Sequence, residues 1–75
     1  MDEPYDPIIV EAERHVREGE ERVARQLMLV KALDAAGRHE EASAARLLLA
    51  TLTGSVDAAR RHLQIEQNAA PARRP

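Results

Sequence analysis

About sixty residues of this chain carry helix-forming side chains with a single strong interruption, Ala35-Ala36-Gly37-Arg38-His39-Glu40-Glu41. Gly37 can take the left-handed backbone conformation that closes a helix without steric cost. Glu40 and Glu41 follow at once, and acidic side chains suit the positive end of a new helix. A stop and a start placed back to back leave room for a loop of only a few residues. The simplest outcome is an αα-hairpin. The expected fold is therefore all-α, an antiparallel two-helix hairpin over about residues 7–36 and 40–67.

The first helix opens at Asp6-Pro7. Aspartate accepts from the unpaired N–H groups of a first turn, and proline fits that turn because its missing N–H costs nothing there. Ile9, Val16, Val23 and Val30 recur every seven residues, with Ala12, Gly19, Gln26, Leu27 and Leu33 between them. At 100° per residue they form one stripe, and a seven-residue period marks a long helix packed along another. The remaining surface carries Glu13 with Arg17, Glu18 with Arg22 and Glu21 with Arg25. All three are i,i+4 pairs in the favourable order, which suggests a solvated, ion-paired face.

In the second helix Ala42, Ala45, Leu49, Leu52, Val56, Ala59 and Leu63 alternate spacings of three and four. Gly54 interrupts this stretch at a cost of about 1 kcal/mol, and Ser55 offers a cap for a new helix. The apolar stripe nevertheless passes through Leu52 and Val56 in phase, so one continuous helix is expected. The two stripes should meet where residue numbers sum to about 76 in an antiparallel coiled coil, with Leu27 facing Leu49, Val23 facing Leu52 and Val16 facing Ala59. Residues 1–6 and 68–75 are expected to be flexible: both segments contain proline, and neither carries the stripe.

A two-helix layer of this length buries little apolar surface for its size. The second helix has no charged residue from Leu47 to Val56. Leu47, Thr51, Gly54, Ala58 and Ile65 lie away from the hairpin stripe, which makes this helix small or apolar on two sides, a pattern that goes with burial on two sides. A homodimer closing into a four-helix bundle is the expectation. Met28, Leu29, Leu47 and Leu48 lie outside the stripe beside the turn and are the best candidates to meet a protein partner.

Other classes fit poorly. Thirteen acidic residues against eleven basic ones give a formal charge of −2, and Tyr5 is the only aromatic residue. That balance neither attracts a phosphate backbone nor supplies stacking platforms. No apolar run approaches the roughly 20 residues that span a bilayer. The start of the chain lacks the basic and apolar regions of a secretion signal, which points to a cytoplasmic protein. There is no cysteine for a disulfide or thiolate site. His15 and His62 should lie at one level with Glu11 and Glu66 one turn away, but the paired Glu-x-x-His spacing of di-iron bundles is missing. No metal or cofactor is expected. A lone His15 beside Arg14, Arg17 and Glu18 is a weak basis for phosphotransfer. Ser43 and Ser55 have no base at an identifiable spacing. Arg60-Arg61 and Arg73-Arg74 are short basic pairs of the kind that usually face water.

The run from His15 to Gln26, the segment from Ala45 to Leu52, and Arg60-Arg61-His62-Leu63 together resemble a group of short, uncharacterised bacterial proteins common in alphaproteobacteria. Those proteins share a His-x-x-Glu-Gly-Glu start and a Leu-Leu-Ala-Thr-Leu segment, over roughly residues 12–65 here. The resemblance implies a helical hairpin and brings no known activity. The functional expectation is a non-enzymatic structural or protein-interaction module acting through helical faces. The alternative is a regulatory accessory that binds nucleic acid or a phosphotransfer partner through His15 or the Arg60-Arg61 pair.

Overall fold

The computed structural model describes residues 6–73. Helix α1 spans Pro7–Ala35 and helix α2 spans His39–Arg73, and the two run antiparallel along their length. At 1.5 Å per residue they are about 43 and 52 Å long. The chain is a single layer of two helices, with Cα extents of 58 × 21 × 11 Å.

The turn is built as the sequence implies. Gly37 has φ of 75°. Its N–H donates to Asp34 O at 3.0 Å, and the Arg38 N–H reaches back to Leu33 O at 2.9 Å. These are the two bonds of a Schellman closure, which satisfies carbonyls that a helix end otherwise leaves open. Arg38 then starts α2 by accepting from Ala42 N through its carbonyl. Its guanidinium lies against the Glu41 carboxylate in the first turn. At the far end, the Asp6 carboxylate caps α1 by accepting from Ile8 N at 3.0 Å and Ile9 N at 3.4 Å.

Two interlocked heptad rows form the core. The buried and half-buried positions of α1 run from Ile9 to Leu33, and those of α2 from Ala42 to Ala70, at alternating steps of three and four, with half-buried Ala69 beside the last of them. The buried side chains are small: alanines at 12, 42, 45 and 70, and valines at 30 and 56. The rows pass straight through Gly54, so α2 is continuous.

Three expectations need correction. First, α2 does not end near residue 67. Residues 68–73 are helical, with Pro71 inside the last turn and Ala70 only 4% exposed. A proline this near a terminus removes one intrahelical bond, and docking against the start of α1 outweighs that loss. The Arg73 guanidinium donates to Asp6 Oδ2 at 2.8 Å and to Glu66 Oε1 at 2.9 Å. Asp6 is thus an ordered cap and latch, while the rest of the expected loose N-terminus, residues 1–5, and the last two residues of the expected tail lie outside the described residues. Second, Leu27 does not face Leu49. It is 40% exposed, and half-buried Gln26 holds the inward position, its side-chain amide donating to Ala45 O at 2.9 Å. Third, the expected pairs Glu13–Arg17, Glu18–Arg22 and Glu21–Arg25 of α1 are not formed among the described residues. Exposed pairs gain only tenths of a kcal/mol against side-chain freedom. The bridges that cross between the helices use other residues, Arg46 to Asp34 at 2.9 Å and Arg60 to Glu20 at 2.5 Å.

The latch has a pH signature. The Arg73 guanidinium, more than the cap bonds from Ile8 and Ile9, holds the Asp6 carboxyl below its ordinary range. A carboxyl depressed in the folded state contributes stability that is fully present above its unfolded value of about 3.9 and is lost as pH falls through the folded one. Denaturation midpoints should therefore fall as the solution is acidified below about pH 4. Asp6→Asn should lessen that fall and lower stability at neutral pH. An unchanged acid profile in Asp6→Asn would contradict the assignment.

Candidate functional site

The groove between the helices has two unlike sides. On one side the cross-helix bridges Arg46–Asp34 and Arg60–Glu20 tie the layer together, and Asp57 adds a further contact to Arg60 at 3.7 Å. This side is charged and internally neutralised.

The other side holds two shallow depressions. One is lined by Pro7, Ile8, Glu11, Ala12, His15 and His62. The next, nearer the middle, includes Glu18, Gly19, Arg22 and Ser55. The seven-residue repeat extends this side from Arg22 to Leu29 on α1 and from Ser55 back to Leu48 on α2. At the floor of the middle depression the helices lie close together: a Cβ on Gly19 would lie 2.8 Å from Val56 Cγ2.

His15 and His62 thus reach one depression, as their numbering implies, but each leans on its own helix. His15 Nε2 lies 3.0 Å from Glu11 Oε2, and His62 Nε2 lies 3.6 Å from Glu66 Oε2. Glu11 is also held by Arg14, whose guanidinium keeps its carboxyl below the usual range. No group of three or more His, Asp or Glu side chains converges on a metal position among the described residues. Titration with zinc, iron(II) or manganese should reveal no site tighter than micromolar; a tight site abolished by His15→Ala and His62→Ala would overturn this.

The candidate interface residues are all exposed. Leu47 is 74% exposed, Met28 66% and Ile65 62%, with Leu29 and Leu48 near half. Thr51, Gly54 and Ala58 line the same outer surface of α2. The Thr51 hydroxyl donates to Leu47 O at 3.3 Å, which satisfies it within its own helix. Their angular positions separate them into groups. By the heptad repeat Leu29 and Leu48 fall on the same side as the depressions, toward the turn, while Leu47 points away from α1 and Met28 away from α2. The sequence reading missed Ile8, Val10 and Leu27 as exposed apolar residues. The signal was there for Ile8, because it stands one position before the inward Ile9.

No helix among the described residues is long and apolar enough to cross a membrane. Comparison with protein-family models, curated proteins and solved structures gives no match to this chain.

Proposed function

We propose that this protein is a small, non-enzymatic interaction module that works through its helical faces and associates with itself into a four-helix bundle. The observation that carries this reading is the apolar surface left outward by a one-layer hairpin. Leu29, Leu47, Leu48 and Ile65 are exposed on or beside α2's second face, and the hairpin has no further layer to cover them. Domains reach stability by packing at least two layers around one core, so a single layer of two helices favours a partner.

Acyl-transfer chemistry is disfavoured by geometry. Ser55 and His15 border the same depression, but His15 Nε2 is directed to Glu11. Both side chains are exposed, and N–H groups within a helix interior are engaged in its own bonds, so they supply no oxyanion donors. A bacterial setting accords with the resemblance.

Sedimentation at high micromolar concentration should show a homodimer, and Thr51→Glu should shift it to monomer with lower thermal stability. A wild-type monomer at that concentration would contradict the self-association. Capture experiments with Met28→Glu/Leu47→Glu separate the two functional classes. Loss of a specific protein partner in that folded double variant supports the module. Retention of every partner, with loss only on changing His15, Arg60 or Arg61, favours the nucleic-acid or phosphotransfer alternative.

A further inference from the structure

Helix α2 carries a second heptad row besides the one packed on α1. From Ala44 to Ala72 it steps by four and three through Leu48, Thr51, Ala58 and Ile65, and it contains no Asp, Glu, Lys or Arg. Every member is exposed except Ala69, which is half-buried. The row is symmetric about Ala58. Reversing α2 upon itself there sets Thr51 against Ile65, Leu48 against Ala69, and Ser55 against His62. Large residues meet small ones at two levels, and Ala58 meets itself with nothing larger than a methyl group to hold the helices apart.

Helix α1 obeys the same axis independently. Gly19 touches the level of Val56, so Ala58 stands opposite residues 17–18 of α1. Reversing α1 about Glu18 sets Glu11 against Arg25 and brings Ile8 to within one residue of the level of Leu29. Ile8 and Leu29 are exposed apolar side chains on the depression side. Arg25 makes no ion pair among the described residues, and Glu11 is an exposed carboxylate that already meets Arg14 and His15 of its own helix and would add Arg25 as a third partner. Glu18 falls close to its own copy near the axis, with Arg22 one turn from it on both copies. One rotation thus covers apolar residues of both helices and brings opposite charges together.

The area agrees with such a cover. The chain exposes 5616 Å², whereas a compact monomer of this mass exposes about 4,600 Å². The excess of about 1,000 Å² follows from the elongated one-layer shape, which leaves room for the roughly 800 Å² that each partner contributes to a standard interface.

We infer that a second copy of this chain docks on the depression side of the hairpin, α2 antiparallel to α2 with Ala58 on the two-fold axis, and α1 antiparallel to α1 with Glu11 opposite the second copy's Arg25. The inference rests on the self-association proposed above and specifies its face, orientation and register.

The chain has no cysteine, so single cysteines report the geometry directly. Under mild oxidation Ala58→Cys should cross-link to a covalent dimer in high yield, because a disulfide needs its Cβ atoms within about 4.5 Å. Thr51→Cys alone should not, since an antiparallel pair places the two copies of residue 51 about 20 Å apart. Thr51→Cys mixed with Ile65→Cys should yield the mixed dimer, and Asp57→Cys, toward the charged side, should remain uncoupled. Arg25→Glu should weaken dimerisation about tenfold, and adding Glu11→Arg should restore it, with helicity by circular dichroism unchanged in both. Cross-linking of Thr51→Cys by itself would show a parallel pair and overturn the inference. So would a double charge reversal that fails to restore binding. A wild-type dimer in which Ala58→Cys never cross-links would overturn this face and register while leaving the interaction-module reading in place; a wild-type monomer would remove the self-association itself.

Discussion

Gly19→Ala is expected to destabilise the protein, although alanine is the better helix former. Replacing glycine in a helix interior gains about 1 kcal/mol in propensity. At this position the new methyl would lie 2.8 Å from Val56 Cγ2. Val56 is buried and β-branched, so its one dihedral offers little room to move away. The helices must separate, and overpacking of this kind costs about 1–3 kcal/mol. The net expectation is a loss of up to about 2 kcal/mol, and Gly19→Leu should prevent stable folding. Gly54→Ala is the control. A Cβ there meets nothing within 4 Å, so the propensity gain should appear nearly whole, as a stabilisation of up to about 1 kcal/mol. Urea denaturation of the three variants at one protein concentration checks this. If Gly19→Ala equals or exceeds Gly54→Ala in stability, the close approach of the helices at Val56 is wrong.

Truncation after Gln67 is expected to cost about 1–2 kcal/mol, chiefly from the burial lost at Ala69 and Ala70 and from the apolar cover removed around Ile9. The same cut removes Arg73 and with it the latch on Asp6. Arg73→Ala isolates the ion pair. It should have a smaller effect than the truncation, because the guanidinium and the carboxylate remain partly solvated. Equal stability of the truncated and full chains would mean that the last turn and a half contributes nothing, as a frayed tail would. A truncated protein that loses its acid sensitivity below about pH 4 but little else would assign the whole effect to the latch.

Most of the fold was legible because it depends on short-range chemistry. Asp6-Pro7 must cap a helix start, Gly37 must take positive φ, and the seven-residue recurrence of Ile9, Val16, Val23 and Val30 must face a partner helix. The inward row of α2 was equally plain, including its passage through Gly54. The outward apolar surface could also be read, because Leu47, Thr51, Ala58 and Ile65 lie on the side opposite a row already assigned to the core. The two-sided character of the groove could not. Which arginines pair across the helices depends on register and on which residues flank the contact, and neither is local information.

What the sequence by itself determined, then, is the hairpin: two long helices, one tight turn, and the heptad rows that align them. Only the tertiary structure decided which of two adjacent residues turns inward. Gln26 does so in place of Leu27, because its amide reaches the Ala45 carbonyl. It likewise decided that residues 68–73 stay helical. Their local signals, a proline among small residues, argue for fraying, and the opposing forces are burial of Ala70 and the Arg73–Asp6 bridge. Both act between segments more than sixty residues apart in the chain, where local propensity has no influence.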